Sequence, residues 1–364
     1  MKILLIRGSN TVLLPYLHRP ASATVGATPK QNLRLEQYNR RYSPEHYRLE
    51  DNDGGEIRKQ SVVVVMGATG TGKSKLSVEL ATRFFGEVVN SDKTQVYRNL
   101  DITTNKMPIA ERCSIPHHLL GEFDPAVGEL QAAEFREMAA RAISGIANRG
   151  RLPVVAGGSN SFIHAAMASS YDPGRSPFGI EWRRRGWKED ALRYRCCFLW
   201  VDVEPAALAE QLDRRVEEMM AAGMVEELAQ YFAAEAVAEA GESRHPGLGK
   251  AIGVAEFREY FRGKDRGTSA AYKAAVATIK ANTRRLAEEQ VRKIERLGEM
   301  GWPLRRLNGT GTVKARLAGA AAEAEAAWKR DVAEPSGAIV QQFLKEERQD
   351  QHHHMMVSSP LIYT

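Results

Sequence analysis

Residues 67–74, Gly67-Ala68-Thr69-Gly70-Thr71-Gly72-Lys73-Ser74, carry the G-x-x-x-x-G-K-[ST] spacing of a loop that cradles phosphate. Glycines at 67, 70 and 72 let successive backbone N–H groups turn inward on an anion, and a helix starting at Lys73 adds the positive end of its dipole. Lys73 supplies a mobile point charge. Ser74 offers a hydroxyl to a magnesium ion that keeps most of its water. At ordinary glycine usage such a match arises by chance on the order of once in a hundred chains of this length. The motif implies a polyphosphate ligand without saying whether the phosphate belongs to a nucleotide.

Asp92 is the second residue with evident chemistry. It follows the apolar pair Val88-Val89 within Asn90-Ser91-Asp92-Lys93-Thr94-Gln95. Two roles are open to it: a helix N-cap or turn former, or a carboxylate that stays ionised beside Lys73 and accepts a proton from a bound nucleophile. His117 and His118 read as packing or hydrogen-bonding residues. Cys113, Cys196 and Cys197 make an odd set with no C-x-x-C pair, which suggests neither a disulfide framework nor a structural zinc site and fits a reducing compartment. His352, His353 and His354 read as an incidental surface tract in a polar tail.

The elements that must position these groups alternate from residue 61 onward, an α/β pattern. Val62-Val63-Val64-Val65-Met66 reads as a buried strand entering the phosphate loop, and a helix follows through Leu76 to Phe84. Further strands are expected at residues 86–90, 152–156 and 197–201, ending in Asp92, in Gly157-Gly158-Ser159 and in Asp202. An open parallel sheet binds ligands outside the carboxyl ends of its strands, so one edge should collect the phosphate loop, Asp92, Ser159 and Asp202. Residues 107–150 read as mostly helical, with apolar spacing through Phe135, Met138, Ala142 and Ile146. Residues 205–297 also read as helical, with a break near 241–249. Arg183 to Lys188 reads as a solvated basic face. The chain after residue 310 reads as a peripheral Ala-rich helix and tail.

Several longer motifs carry a resemblance. The phosphate loop, Asn90-Ser91-Asp92-Lys93-Thr94-Gln95-Val96-Tyr97, Leu100-Asp101-Ile102-Thr103-Thr104-Asn105-Lys106, Pro116-His117-His118-Leu119-Leu120-Gly121 and Gly157-Gly158-Ser159-Asn160-Ser161-Phe162-Ile163 follow one another in the order and approximate spacing of the isopentenyltransferase family. Residues 193–203, Lys250-Ala251-Ile252-Gly253-Val254 and Ile279-Lys280-Ala281-Asn282-Thr283 extend the match. Within that family the chain resembles the plant adenylate isopentenyltransferases, which begin cytokinin synthesis. The resemblance implies a P-loop NTPase-like parallel sheet flanked by helices, with a helical insertion at about 107–150 inside a domain spanning 61–310. It implies transfer of a dimethylallyl group from dimethylallyl diphosphate to the N6 amine of AMP, ADP or ATP.

In those terms Gly67, Ala68, Thr69, Gly70, Thr71, Gly72, Lys73 and Ser74 grip the diphosphate, Ser74 holds Mg2+, and Asp92 accepts the amine proton. By motif position Ser159 lies near the leaving oxygens and Lys250 near the diphosphate, although Lys250 reads equally as a surface lysine. Lys93, Lys106 or Lys280 would face the acceptor's phosphates. One departure from the family pattern is Gly249, where many relatives carry a basic residue.

With 364 residues, 43% hydrophobic, the chain is long enough for one substantial core, and a net charge of +6 suits anionic substrates without demanding nucleic acid. No apolar run approaches the roughly 18 residues of a membrane span, so a soluble enzyme with no membrane partner is expected. Residues 1–60 read as a leader: acid-free and basic up to Glu36, as in a transit peptide for plastids, or else simply disordered, leaving a cytoplasmic enzyme. Three rivals remain. A small-molecule kinase is suggested by residues 199–205 followed by Arg214 and Arg215. A guanine-nucleotide switch is disfavoured, because Asn105-Lys106-Met107-Pro108 lacks the aspartate of N-K-x-D. A tRNA-modifying enzyme is disfavoured too, because no cysteine follows Cys197 to build the zinc finger usual in eukaryotic relatives.

Overall fold

The computed structural model describes residues 59–179, 192–236 and 245–358. Residues 1–58 of the expected leader, the basic stretch at 183–188 and the side chains of His352 to His354 fall outside the described residues. Strands β1 (Ser61–Gly67), β2 (Gly86–Asn90), β3 (His117–His118), β4 (Leu152–Ala156), β5 (Arg195–Asp202) and β6 (Leu304–Asn308) form one sheet in the order β3-β2-β4-β1-β5-β6. Every neighbouring pair is parallel.

The valine run of β1 is explained by this central place, since a parallel strand buried on both faces needs apolar residues at every position. Val62, Val64 and Met66 face one core while Val63 and Val65 face the other, as the two-residue period of a strand requires. Helix α1 (Lys73–Arg83) buries Leu76, Leu80 and Ala81 on the Val63 side. Helices α2 (Ala132–Asn148) and α3 (Asn160–Met167) cover the opposite face, where Phe135 and Phe162 stack with ring centroids 4.3 Å apart. After β5 come α4 (Pro205–Ala221), α5 (Met224–Ala236), α6 (Arg258–Arg262) and the long α7 (Ser269–Glu299) before the chain returns as β6. Helices α8 (Thr310–Leu317), α9 (Ala321–Trp328) and α10 (Glu334–Ser358) follow, with a π-helical turn at Lys329–Ala333 between the last two.

The expected helical stretch at 107–150 begins only at Ala132, where Gln131 and Glu134 form a capping box. Residues 107–131 instead hold β3 and two short 3-10 turns, Ile109–Arg112 and Pro125–Val127. Pro108, Pro116 and Pro125 interrupt any helix there, and Cys113, Ser114 and Leu119 adopt positive φ. Helix α2 is a crossover between sheet strands. The inserted helices are α4 to α7, between β5 and β6.

The segment after residue 310 is not peripheral. Trp328, Val332 and Val340 are 3%, 0% and 0% exposed and join the core beneath β1 and α1. Its composition hid this: in α9 the buried positions other than Trp328 are Ala324 and Ala327, whose small side chains give a weak amphipathic signal.

Candidate active site

Gly72 is the N-terminal cap of α1, with φ 94° and no side chain capping the helix. The first N–H groups of α1 are therefore presented at the loop, the arrangement that binds anions. Gly157, which follows β4, packs against the Ser91 backbone so closely that any Cβ would collide with it. That contact brings the loops after β2 and β4 together. A cleft of about 1200 Å³ opens there, lined by residues 69–74, Asp92, Gly157, Gly158, Arg215 and Gln290 among others.

Lys73 extends back along the loop and donates from Nζ to the Ala68 carbonyl at 2.6 Å, an oxygen that also accepts from Thr71 Oγ1 at 2.9 Å. Burial above all, aided by the charge of Arg215 and opposed by the Asp92 carboxylate, lowers its pKa to about 8. Arg215, from α4, donates from Nη1 to Thr69 Oγ1 at 3.1 Å. Two cations thus stand at the phosphate loop with Asp92 as a counter-charge, a surplus of positive charge for a polyphosphate to neutralise.

This arrangement has a pH signature. In the free protein Lys73 loses its proton as pH rises through about 8, and a bound diphosphate favours the charged form and lifts that pKa. With inorganic diphosphate as the ligand and no magnesium, the Kd should stay level with respect to this group below pH 8. Above it, Kd should rise about tenfold per pH unit. Calorimetric titration of wild type and Lys73→Arg, whose side chain keeps its charge, checks this: equal slopes above pH 8 would show that Lys73 is not the linked group.

Asp92 fulfils its turn-forming role. Oδ1 accepts from Thr94 N (2.9 Å), Thr94 Oγ1 (2.8 Å) and Gln95 N (3.3 Å). It also lines the cleft, and its charge acts on Lys73, Arg215 and Lys106. The two sequence roles are compatible, because one carboxylate has an oxygen for each.

The sequence-derived set is only partly assembled. Thr69 to Ser74 and Asp92 line the cleft, while Gly67 and Ala68 are buried where β1 ends and are not among its lining residues. Ser159 is not among the lining residues: it precedes α3, and its Oγ accepts the Lys93 N–H at 3.0 Å. Lys250 is also outside the cleft, with a side chain 65% exposed and its Nζ 2.5 Å from Glu129 Oε2. Motif position put both near the diphosphate; here Ser159, next to the cleft-lining Gly158, bonds Lys93, and Lys250 pairs with Glu129. Asp202 accepts from Arg306 at 2.6 Å and does not line the cleft either. Of the lysines proposed for acceptor phosphates, only Lys106 lines this cleft, bonded to the Asn99 carbonyl and to Asp101. Lys280 pairs with Glu217, and Lys93 lies over the Phe162 ring. His118 donates from Nε2 to Glu87 Oε2 (2.6 Å), in keeping with a structural role.

Gln290 was not singled out from sequence. From α7 its Oε1 accepts the Thr69 N–H (2.7 Å), its Nε2 donates to the Gly158 carbonyl (3.0 Å), and its main-chain oxygen accepts from Asn160 Nδ2 (3.0 Å). One residue therefore ties the phosphate loop to the loop after β4. The available signal was its spacing, a glutamine in the buried series Ala287, Gln290, Ile294, Leu297 of an amphipathic helix.

The family model described as IPP transferase matches residues 95–185 and 171–296. The chain belongs to the IPP transferase family. Among relatives of this IPP transferase, the Arabidopsis thaliana protein named adenylate isopentenyltransferase 8, chloroplastic, is 45% identical over 80% of this chain and 87% of its own length. The adenylate isopentenyltransferase of Humulus lupulus is 46% identical over 78% of this chain and 90% of its own. A eukaryotic dimethylallyltransferase acting on tRNA shares the fold, with a TM-score of 0.65, 24% identity and coverage of 79% of this chain and 80% of that one. At that identity the likeness speaks for the α/β architecture of IPP transferases and not for the acceptor.

Proposed function

We propose that this enzyme transfers the dimethylallyl group of dimethylallyl diphosphate to the N6 amine of AMP, ADP or ATP, the first step of cytokinin formation. The observation that carries this reading is a single cleft holding the phosphate loop, the Lys73 and Arg215 cations and the Asp92 carboxylate, in a chain about 45% identical to two adenylate isopentenyltransferases. As N6 attacks C1 of the donor, the C1–O bond breaks and its electron pair departs with the diphosphate. The N6 proton passes to Asp92. An exocyclic amine is a weak nucleophile, so the rate gain comes from aligning it with C1 and from stabilising charge on the leaving oxygens. Lys73, Arg215 and the loop N–H groups do the latter.

The cleft suits Mg2+, because the Ser74 hydroxyl is a hard oxygen beside the phosphate loop and magnesium takes few protein ligands when water and phosphate supply the rest. When bound, the ion spreads the charge that accumulates on the diphosphate. Among the described residues no helix is long and apolar enough to cross a membrane. Plastid localisation is supported by the basic leader, acid-free over its first 35 residues, and by the names of several relatives, chloroplastic, while another Arabidopsis relative is named mitochondrial.

The test is incubation of purified protein with dimethylallyl diphosphate, magnesium and, separately, AMP, ADP, ATP, adenosine and unmodified tRNA, with products identified by mass. Prenylated nucleotide is expected, with adenosine a far poorer acceptor and tRNA unmodified. Prenylated tRNA with inert free nucleotides would reassign the acceptor. Phosphorylated product from ATP without prenyl transfer would instead favour a kinase.

A further inference from the structure

Trp328 lies 256 positions from Gly72 in sequence and against it in space. A Cβ built at Gly72 would stand 2.7 Å from Cζ3 and 2.8 Å from Cη2 of the indole, so the ring covers the residue whose positive φ shapes the end of the phosphate loop. The indole is fixed from its other side: Nε1–H donates to both carboxylate oxygens of Glu79 on α1, at 3.0 and 2.9 Å. Lys75 places its Nζ 4.9 Å above the ring and 2.6 Å from Glu325 of α9, adding a cation over the indole and an ion pair between the helices. At the far end of α1, Gly337 of α10 sits so close to the Arg83 guanidinium that a Cβ would collide with it. Helix α1 is therefore held at both ends by the C-terminal segment, in which a π-helical turn directly after Trp328 joins α9 to α10.

We infer that the C-terminal segment is a latch on the phosphate loop, with Trp328 a positioning residue whose ring holds Gly72, and through it the amides ahead of Lys73, in the anion-binding arrangement. The inference rests on the proposed function for its identity of donor, but its primary readout, diphosphate binding, does not need prenyl transfer. A loop free to relax outward at Gly72 must be ordered by the ligand, and affinity falls by that cost. Trp328 also lines the cleft, so the latch and the donor site share a wall.

The test uses the full chain with Trp328→Ala, Trp328→Leu and Trp328→Phe, inorganic diphosphate as the calorimetric probe, and Val340→Ala as a control that empties the same core cluster away from the loop. The alanine and leucine variants should bind diphosphate at least ~10-fold more weakly, a change equivalent to about 1.4 kcal/mol. Their KM for dimethylallyl diphosphate should rise by a similar factor, with kcat reduced less. Trp328→Phe, which keeps a ring on Gly72 but loses the Glu79 bond, should restore binding to within ~3-fold, or about 0.7 kcal/mol. Val340→Ala should lower the melting temperature with diphosphate affinity unchanged. Diphosphate affinity within ~2-fold of wild type (about 0.4 kcal/mol) in a folded alanine or leucine variant overturns the inference. So does an equal loss in Val340→Ala, which would make the effect one of general stability. A wild-type protein that binds diphosphate but transfers no prenyl group fails the functional reading alone.

Discussion

Asp92→Asn should abolish most prenyl transfer, lowering kcat by about 10²- to 10⁴-fold, the range ascribed to a positioned general base. The substitution is informative because asparagine retains an oxygen at the Oδ1 position, where the Thr94 and Gln95 donors converge, so the turn after β2 should survive. Asp92→Ala removes both the base and the cap, and should cost about 0.5–2 kcal/mol of stability in addition to activity. One complication has a known sign: without the Asp92 charge, Lys73 loses the influence that opposes its lowered pKa. Donor affinity should therefore be compared near pH 6.5, where the lysine remains charged in both proteins. Near-normal turnover in Asp92→Asn, with a lowered melting temperature only in Asp92→Ala, would reduce Asp92 to a turn former.

Lys73→Met should weaken donor binding by about 2–5 kcal/mol, the cost of removing one member of a buried charged contact, and should lower kcat as well, since the lysine also meets the charge that develops on the leaving oxygens. Folding stability should move the other way. Burial is the largest cause of the lowered Lys73 pKa, so an apolar side chain of similar length relieves a desolvation penalty and should leave the melting temperature equal or higher. A variant that loses stability in proportion to activity would show that Lys73 supports the fold instead of the ligand. One that loses ATP binding but keeps donor affinity would revive the kinase reading.

The parts of the site that sequence made legible are local. Gly67 to Ser74 form one continuous loop, and Asp92 closes a turn with residues two and three positions away, so their chemistry is written in short spacing. The missing parts come from distant helices. Arg215 drew attention only as a kinase-like feature, although its bond to Thr69 spans 146 positions, and Gln290 reaches Thr69 across 221. Ser159 and Lys250 show a different limit: a motif gives the order of residues along the chain but not the neighbours, here Lys93 and Glu129, that their side chains bond. The central strands were visible because their burial demands unbroken apolar runs. β6 was not, because Arg305 and Arg306 occupy two of its five positions at the sheet edge.

The order of the strands also governs how the chain must be made. Val63, at the centre of the sheet, pairs with Val154 on one side and Cys197 on the other, so the valine strand emerges from the ribosome long before either partner exists. Its nearest neighbour in sequence, β2, is not its neighbour in the sheet. Such non-local parallel pairing is slow, and an apolar strand without partners is a template for aggregation in the interim. During synthesis, and during refolding in the test tube, the hazard is concentrated in residues 62–66. A chaperone that shields this segment, or simple dilution, should raise the yield of folded enzyme more than stabilising any of the helices that assemble around it.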